Sequence, residues 1–496
     1  MFKSETIVFL AVWLLSLAVF REAGFNDPGT YWHTRVGQLI LETNTFPHTD
    51  PFTFPFEGHP WIPQQWLAEV VMAILHGAAG WDGLLLAFAT LLAGLHATMY
   101  SRLRRAGVPA AIGAALALAA WFAGAFHDLI RPHMVTLAFT AWTAAKLVDF
   151  DRGRIGVKVL AWLIPAFVVW TNLHGGVLGG MMMLGFVATG WFGVFLCKRN
   201  SAVQSWREII AVTFIGIGCG LAALVNPFGW EMIRTWTRIV GSSAMKEFVL
   251  EHQPLDVSDL SGQAVLVAFG CYVLLIATTK LRGFRVTWLI PVVWLMLTFK
   301  GIRQGPLCIV TCLVLTADVW PHSAIGRALT TVTIPPFSRW VWFVPALVVV
   351  TAFVLQMAHV RVPLIGAGWA RHDPNRWPES LLPELRSIVQ RVPVGSRIYN
   401  DTDFGGYLIW HTPELKIFTD DRFELTGDDW FRQYMVTVQH HPERFDEWQR
   451  TYGFRFALIA TGSPPTALER HLLAKPNEWQ ELGRHPSAVL FEKIDP

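Results

Sequence analysis

The side chains best suited to chemistry are concentrated in residues 22–82, a polar stretch that follows the first apolar segment. Its carboxylates and imidazoles are suited to accepting protons, and its indoles to stacking on sugar rings. Connecting loops longer than about 12–15 residues are usually functional or disordered, and the many aromatic and apolar residues argue against disorder. We therefore expect a site here, with these candidates: Asp27, Trp32, His33, Asp50, His59, Trp61 and Glu69.

Asp27 is the leading catalytic candidate. Asp27-Pro28-Gly29 is also a helix start, with Asp27 as N-cap and Pro28 in the first turn. The two roles are compatible, because the amide groups at a helix start favour an ionised carboxylate. Asp27 and Asp50 are also candidate ligands for a divalent metal ion.

Three further catalytic candidates, His33, Asp50 and Glu69, each have a structural alternative. Asp50 precedes a proline and fits an Asx-type turn. His33 is equally suited to a hydrogen bond within the loop, as is His59, which is a substrate-binding candidate with Trp32 and Trp61. A second helix is predicted to begin near Pro63 and to lie along the membrane interface up to His76, with Glu69 off its apolar face. The structural alternative for Glu69 is that it faces water.

The composition is that of a polytopic membrane protein, because 53% of the 496 residues are hydrophobic and only 16% are charged. The net charge of +3 gives no reason to expect nucleic acid as a partner. All five cysteines lie in or beside apolar segments and show neither a disulfide framework nor metal-ligand spacing. The first apolar segment lacks a small-residue cleavage site, so we expect it to stay as a span.

Apolar runs predict about eleven spans of near-minimal length. They lie near 5–21, 83–100, 107–126, 132–149, 157–173, 176–197, 208–226, 263–279, 285–299, 304–319 and 338–357. With the N-terminus inside, every basic cluster falls on the inner side, as the positive-inside rule requires. The clusters are Arg102, Arg104 and Arg105; Arg152, Arg154 and Lys158; Lys198, Arg199 and Arg207; and Lys280, Arg282 and Arg285.

This topology places Arg131, His174 and Arg303 at the outer ends of spans. Ionisable residues at membrane depth are functional candidates, although such side chains also snorkel or pair at helix ends. Arginine suits a phosphate because its planar fork binds two oxygens at once. We therefore expect these three residues to bind substrate on the outer face.

The tail, residues 359–496, alternates short strand and helix patterns and predicts a small α/β domain. Strands are expected at 396–399, 416–419, 454–460 and 488–493, and helices at 381–392, 443–452 and 466–473. Loops after neighbouring strands of α/β domains bind ligands, so the loop at Asp401–Tyr407 and the one at Asp421 are candidate binding segments. Structural turns are the alternative. The candidates are Asp401, Asp403, Tyr407 and Asp421.

The layout of the outer stretch carries a resemblance to a known family. Asp27 follows the first span closely and is followed by Tyr31-Trp32-His33. The stretch continues from Gly37 to Asp50-Pro51-Phe52 and ends with the segment from Trp61 to Glu69. This pattern resembles the membrane glycosyltransferases of the GT-C superfamily. In the tail, Asp403-Phe404-Gly405-Gly406-Tyr407 is faintly similar to the WWDYG acceptor motif of oligosaccharyltransferase catalytic subunits, without its tryptophans.

The resemblance implies a GT-C-like helical membrane domain over residues 1–358 and an extracytoplasmic α/β domain over 359–496. It implies an inverting glycosyltransferase that moves a sugar from a polyprenyl-phosphate-linked donor to a glycan, lipid or protein acceptor outside the cytoplasmic (inner) membrane. Two other classes stay open. A transporter or flippase of lipid-linked sugars predicts ionisable residues in mid-span and paired halves, and a non-catalytic membrane scaffold predicts no reactive site.

Overall fold

Helices form most of the chain up to Met357 in this computed structural model, which describes residues 3–199, 201–280, 283–330 and 339–494. They are α1 Ser4–Ala23, α2 Pro28–Thr43, α3 Trp66–Arg105, α4 Ala110–Gly124, α5 Met134–Asp151, α6 Val157–Leu160, α7 Leu163–Leu173, α8 Val177–Leu196, α9 Trp206–Leu221, α10 Trp230–Gly241, α11 Ser243–Phe248, α12 Leu260–Ala277, α13 Ile290–Thr298, α14 Gly305–Val319, α15 Ala324–Leu329 and α16 Phe343–Met357. Arg282 and Ser338, which belong to a predicted basic cluster and a predicted span, lie outside the described residues.

The protein is an integral membrane protein. Among the described residues, eight helices are long and apolar enough to cross a membrane: Ser4–Ala23, Trp66–Arg105, Ala110–His127, Val177–Leu196, Trp206–Leu224, Leu260–Ala277, Ile302–His322 and Trp340–Met357. The apolar helices Val157–Leu173 and Val286–Thr298 are shorter. The α5 helix matches another predicted span but carries several charged residues. The count of about eleven stays a prediction.

Charged residues gather at two opposite ends of the helical bundle. The α4 helix starts close to Arg105 and ends at Gly124, and a short 3-10 helix continues it to His127. That end lies beside the segment in which Ile130 N–H bonds Gly24 O at 3.0 Å just beyond α1. At the Arg105 end, residues of three predicted inner clusters are ion-paired with nearby carboxylates: Arg102–Asp149 at 3.0 Å, Arg152–Asp318 at 2.8 Å, Arg154–Asp318 at 3.1 Å and Arg285–Asp151 at 3.6 Å. These basic clusters therefore share one end, and Asp27 lies at the other.

The α3 helix contains a kink that divides it into two parts. Ala79 and Gly80 leave helical geometry, and Gly80 has a φ of +62°, a conformation that glycine adopts at little cost. The first part starts at Trp66, three residues after the predicted Pro63, and packs on α2. The contact is close, since a Cβ at Gly37 would stand 1.9 Å from the Glu69 carbonyl oxygen. That the first part lies along the membrane interface stays a prediction.

The tail is an α/β unit with a five-stranded sheet in the order β2-β1-β3-β5-β4. The strands are β1 Arg397–Asn400, β2 Lys416–Ile417, β3 Phe456–Ala460, β4 Trp479–Arg484 and β5 Ala488–Lys493, and the helices are α17 Leu382–Arg391, α18 Thr402–His411, α19 Phe423–Thr426, α20 Asp428–His440, α21 Arg444–Tyr452 and α22 Ala467–Leu473. The first three strands pair in parallel, whereas β5 is antiparallel to β3 and β4. The expected strands and helices are confirmed within a few residues, but β4, α18, α19 and α20 were not predicted.

The outer loop, residues 22–82, packs into the tail. Thr53 pairs in parallel with Ile417 of β2, so the loop extends the sheet by one bridge. Phe54 is buried among the tail aromatics, and Trp32, Val36 and Trp61 share a second core with the sheet and α17. The loop and the tail therefore form one body that covers the Asp27 end of the helices.

Candidate active site

Asp27 stands at the turn between α1 and α2. It is the N-cap of α2, as predicted, and its Oδ1 accepts the Gly29 N–H at 2.7 Å, with Pro28 in the first turn. Its Oδ2 accepts a hydrogen bond from Arg131 Nη1 at 2.9 Å. The Asp27 side chain keeps 13% of its surface exposed, so the capping role leaves the carboxylate accessible to a small reactant.

Arg131 lies between two carboxylates from distant parts of the chain. Besides Asp27, its guanidinium faces Asp421, with 3.9 Å between Nη2 and Oδ2. Asp421 follows β2 in the tail, and its Oδ1 accepts the Trp32 indole N–H at 2.6 Å. The structure therefore brings together four predicted residues, namely Asp27, Trp32, Arg131 and Asp421.

The two carboxylates differ in their protonation. Burial and the nearby Asp27 together raise the pKa of Asp421 to about 8, against the opposing effect of Arg131. Burial also raises the pKa of Asp27, but Arg131 and the Gly29 N–H oppose that shift. Burial alone would lower the pKa of Arg131, yet Asp27, Glu251 and Asp421 hold it above its usual range. Near neutral pH Asp421 is therefore mostly protonated, whereas Asp27 is ion-paired with Arg131, and such differently tuned carboxyl groups are typical of paired acid and base groups.

A buried arginine supports this cluster from the tail side. Arg422 is fully buried and bonds Asp420 through Nη2 at 2.6 Å and Asp50 at 2.8 Å. Asp50 also accepts the Phe52 and Thr53 N–H groups at 3.2 and 2.9 Å, which confirms the predicted Asx-type turn. The guanidinium carbon lies 4.6 Å from the Trp61 ring centroid. The Asp50 oxygens are thus engaged in joining the outer loop to the tail.

Glu251 forms the centre of a second cluster near Arg131. Its carboxylate lies 4.0 Å from Arg303 Nη1, 3.8 Å from His127 Nδ1 and 3.7 Å from His252 Nε2. Burial would raise the pKa of Glu251, but Arg131, His127 and Arg303 outweigh it and lower that pKa to about 2. Arg303, a predicted substrate-binding residue, keeps 29% of its side chain exposed. The cluster is suited to an anion that approaches from outside.

His174 has a local structural role close to these groups. Its Nδ1 accepts the Gly176 N–H at 2.9 Å and lies 2.9 Å from the Thr136 hydroxyl. Its ring faces His133 with 6.4 Å between centroids. The position between α7 and α8 agrees with the predicted tight turn.

His33 and Glu69 form a buried pair behind Trp32. His33 Nδ1 lies 2.8 Å from Glu69 Oε1, and each side chain is 1% exposed. The structural alternative in which Glu69 faces water is therefore wrong, because α2 packs against α3 and turns this carboxylate inwards. Burial lowers the pKa of His33 well below its usual value, so this imidazole is neutral. Their catalytic roles stay predictions.

The remaining candidates lie away from Arg131. His59 is exposed and contacts Phe56 edge-to-face, and the Trp61 indole N–H donates to Glu424 at 3.2 Å. Asp401 is buried and accepts the Ala460 N–H at 2.7 Å, and burial raises its pKa to about 6. Asp403 is exposed beside Arg376, and Tyr407 is buried and stacked on Trp377. Their substrate-binding roles stay predictions that these contacts do not favour.

The predicted loop at Asp401–Tyr407 is a helix, which corrects the sequence interpretation. Thr402–His411 forms α18, and its two adjacent glycines are contact points. A Cβ at Gly405 would stand 2.4 Å from the Thr419 carbonyl oxygen, and one at Gly406 would stand 2.0 Å from that of Pro28. The glycines let α18 pack directly on the start of α2, so the pair positions Asp27 and Asp421.

Comparison with solved structures identifies the fold. ArnT from Cupriavidus metallidurans bound to undecaprenyl phosphate superposes over 99% of this chain and 97% of its own, with a TM-score of 0.50 and 13% identity. Its apo state gives a TM-score of 0.51 over the same shares, with 14% identity. The archaeal oligosaccharyltransferase AglB from Archaeoglobus fulgidus, in complex with an inhibitory peptide and a dolichol-phosphate, matches over 92% of this chain and 69% of its own, with a TM-score of 0.55 and 10% identity.

The chain has the GT-C fold. No protein-family model matches the sequence. No curated protein matches it either. The resemblance read from the outer loop is thereby confirmed at the level of the fold, across nearly the whole chain.

Within this GT-C fold, the metal hypothesis has little geometric support. Asp27 and Asp50 are each engaged with a different arginine, Arg131 and Arg422. Among the residues that the structure describes, no group of three His, Cys, Asp or Glu side chains is arranged to hold a metal ion. The positive charge beside Asp27 is supplied by a guanidinium.

Sequence reasoning did not single out Glu251 or Arg422. Glu251 occurs in a polar loop with no local motif, and only its position near Arg303 and Arg131 in the folded chain identifies it as a functional candidate. Arg422 follows Asp420-Asp421, and a basic residue beside two carboxylates after a strand is the one signal that was available.

Proposed function

We propose that this protein is an inverting glycosyltransferase that uses a polyprenyl-phosphate-linked sugar. The observation that carries the proposal is the Asp27 carboxylate, held by Arg131 and partly exposed at the end of the first span of a GT-C fold. The fold supports this class because its neighbours were solved with undecaprenyl phosphate and dolichol-phosphate.

In the proposed step, Asp27 takes the proton of an acceptor hydroxyl as general base. The hydroxyl oxygen attacks the anomeric carbon and forms the new glycosidic bond. The bond from that carbon to the phosphate oxygen breaks, and polyprenyl phosphate leaves with the electron pair. A single displacement of this kind inverts the anomeric configuration. Arg131 favours the ionised form of Asp27 and fixes its orientation, which matters because small misplacements of a base are costly.

Arg303 is proposed to stabilise the phosphate as negative charge develops on it. It lies in the same electrostatic cluster as Arg131, and 29% of its side chain is exposed, compared with 22% for Arg131. The N–H groups of a guanidinium match phosphate oxygens in geometry and charge. Arg131 is already bonded to Asp27, so Arg303 is the better phosphate ligand.

An apolar groove near His174 suits the polyprenyl chain. It has a volume of about 470 Å³ and begins two positions before His174, at Asn172. Its lining consists of Trp66, Leu67, Val168, Val169, Asn172, Val225, Asn226 and Pro227. A second groove of about 390 Å³ shares Val169 and continues along α7 to Trp142 and Trp162. Burial of isoprene units would contribute about 25 cal/mol per Å² of apolar surface.

The proposed orientation follows the positive-inside rule. The basic network around Asp149 and Asp318 faces the cytoplasm, and Asp27 with the tail faces outside the cytoplasmic membrane. The membrane unit then spans residues 1–358 and the extracytoplasmic unit 359–496. The acceptor is a hydroxyl-bearing glycan, lipid or protein that reaches Asp27 from the outer side.

The experiment is a turnover assay with purified protein and a panel of polyprenyl-phosphate sugars, in liposomes. The proposal expects one donor to be consumed, with polyprenyl phosphate as product. Movement of a labelled donor between leaflets with no loss of its sugar would contradict the proposal and favour a flippase. An unchanged donor that stays in its leaflet, for every lipid in the panel, would favour a scaffold.

A further inference from the structure

We infer that Glu251 occupies the place of the donor's phosphate in the resting protein, so that the site takes a phosphodiester with a single negative charge. The donor class is then a lipid-monophosphate sugar and not a lipid-diphosphate sugar. This inference rests on the proposed function and narrows its substrate.

Glu251 is held by charge and not by hydrogen bonds. Its nearest basic nitrogens stand 3.7 to 4.0 Å away, beyond hydrogen-bond range. Among the described residues it accepts no hydrogen bond from protein, and 29% of its side chain is exposed. A buried structural carboxylate is normally bonded several times, as Asp50 is. Glu251 is therefore a carboxylate that a better ligand can displace.

Arg303 is the cation that Glu251 leaves free when it moves. Arg303 Nη1 donates to His252 Nε2 at 2.6 Å, so the accepting nitrogen of that imidazole is unprotonated. Burial and the neighbouring Arg303 lower the pKa of His252 to about 3, which agrees with a neutral ring. Arg131 is engaged with Asp27 at 2.9 Å. Once Glu251 turns away, the cluster therefore offers one unmatched positive charge, that of Arg303, to an entering anion.

Charge balance then selects the ligand. Arg131 is matched by Asp27, Asp421 is mostly protonated at neutral pH, and Arg303 is matched by Glu251. A sugar phosphodiester carries one negative charge and replaces Glu251 without altering the balance. A diphosphate ester carries a second negative charge beside Asp27, and repulsion at such short range in a partly buried site is costly.

The exchange requires only a side-chain rotation. The backbone beside Glu251 is fixed to the backbone beside Arg303, because the Ile302 N–H bonds the Gln253 carbonyl at 2.9 Å. The partly exposed side chain of Glu251 has room to turn towards solvent. The basic groups therefore keep their positions when the carboxylate leaves.

The test compares binding of undecaprenyl-phosphate-glucose and undecaprenyl-diphosphate-glucose to the full-length protein in nanodiscs. Wild type is expected to prefer the monophosphate. Glu251→Gln keeps the size of the side chain and removes the charge that competes with the phosphate for Arg303. A partly exposed ion pair contributes about 1 kcal/mol, so its loss should tighten the Kd for the monophosphate roughly fivefold. The variant should also bind the diphosphate better and so discriminate less.

The matched control is Glu247→Gln, four positions earlier on α11, where Glu247 pairs with Arg432 and is half exposed. It should bind both lipids as wild type does. Wild-type preference for the diphosphate, or weaker monophosphate binding by Glu251→Gln, would overturn the inference alone. Glu251→Asp keeps the charge and should bind both lipids with affinities close to those of wild type. Comparing the two Glu251 variants therefore separates the effect of the charge from a folding defect.

Two further outcomes separate the inference from the proposed function. Failure of every variant to bind either lipid would overturn both. Equal affinity of wild type for phosphatidylglycerol, a phosphodiester without a sugar, would identify a general lipid-headgroup site and overturn the donor assignment. A preference of at least about tenfold for the lipid-monophosphate sugar, which is about 1.4 kcal/mol, supports it.

Discussion

Trp32 donates its indole N–H to Asp421 at 2.6 Å, across 389 positions of sequence. This bond joins the first helix of the outer loop to the tail, and it places Asp421 opposite Arg131 and close to Asp27. The site is thus built from three segments that meet only in the folded chain.

The first prediction concerns pH. The pKa of Asp421 is raised to about 8, so deprotonation above that pH adds a negative charge beside the departing phosphate. The transfer rate of wild type should therefore fall as pH rises through about 8, whereas Asp421→Asn should show no fall there. A pH–rate profile measures this, with the exposed Asp403→Asn as control. The same fall in Asp421→Asn would assign the titration to another group.

The same shift has a consequence for stability. Between the ordinary aspartate pKa of about 3.9 and about 8, the folded chain holds a proton that the unfolded chain releases. This stabilisation is complete below the lower value and is lost as pH rises through the higher one. The melting temperature of wild type should therefore fall over that pH window, relative to that of Asp421→Asn.

The second prediction concerns the Trp32 bond. Trp32→Phe keeps an aromatic ring but removes the N–H that lowers the pKa of Asp421. The midpoint of the alkaline fall in rate should move to higher pH. The exposed Trp230→Phe on α10 serves as control and should leave the midpoint in place. An unshifted midpoint in Trp32→Phe would show that the indole does not control Asp421.

The third prediction concerns Gly29. A Cβ at this position would stand 2.6 Å from Asp27 Oδ1 and 2.9 Å from Arg131 Nε. Gly29→Ala should separate the pair and lower the transfer rate by about a hundredfold, the loss that a misplacement of about 1 Å can cause. Gly77→Ala is the control, because no heavy atom lies within 4 Å of its added Cβ. Alanine favours helices, so the substitution should not disrupt α2 itself. Full activity of Gly29→Ala would therefore contradict the claim that transfer requires this geometry of the Asp27–Arg131 pair.

The fourth prediction concerns Arg303. Arg303→Ala should weaken binding of a polyprenyl-phosphate sugar more than Arg303→Lys does, because alanine loses the charge and lysine loses only the planar fork. Isothermal titration in detergent measures the two affinities. Arg391→Ala, which breaks a surface pair with Glu492, is the control. Wild-type affinity in Arg303→Ala would remove this residue from the donor site.

Local signals in the sequence predict the elements well. The Asp27-Pro28-Gly29 helix start, the helices at 381–392 and 443–452 and the strand near 454–460 all depend on short-range spacing, and all are confirmed. The GT-C layout was recognisable because its order along the chain survives at 13% identity. Asp401–Tyr407 was misread as a loop because its two glycines suggest a turn, although they serve as close contacts between helices.

The site itself could be predicted only in part. Asp27, Arg131 and Asp421 were selected individually, because each has a reactive type beside a span end or strand end. Their meeting depends on how α2, the segment before α5 and the loop after β2 pack, which no local pattern encodes. Glu251 acquires its role from the basic groups that the fold places around it, namely Arg131, His127, His252 and Arg303, and no local motif marks its segment.

The fifth prediction tests the central claim, that Asp27 is the base. Asn caps helices about as well as Asp, so Asp27→Asn keeps the bond to Gly29 and should fold normally, with a small loss from the weakened Arg131 pair. Asp27→Ala loses both, and its melting temperature should fall further.

The decisive measurement is the transfer or hydrolysis rate of a lipid-linked sugar by purified Asp27→Asn, with thermal stability measured in parallel. Loss of the general base predicts a rate lower by about 10²–10⁴-fold in a protein that still melts near wild type. A fully active Asp27→Asn would contradict the account and leave Asp27 as a helix cap.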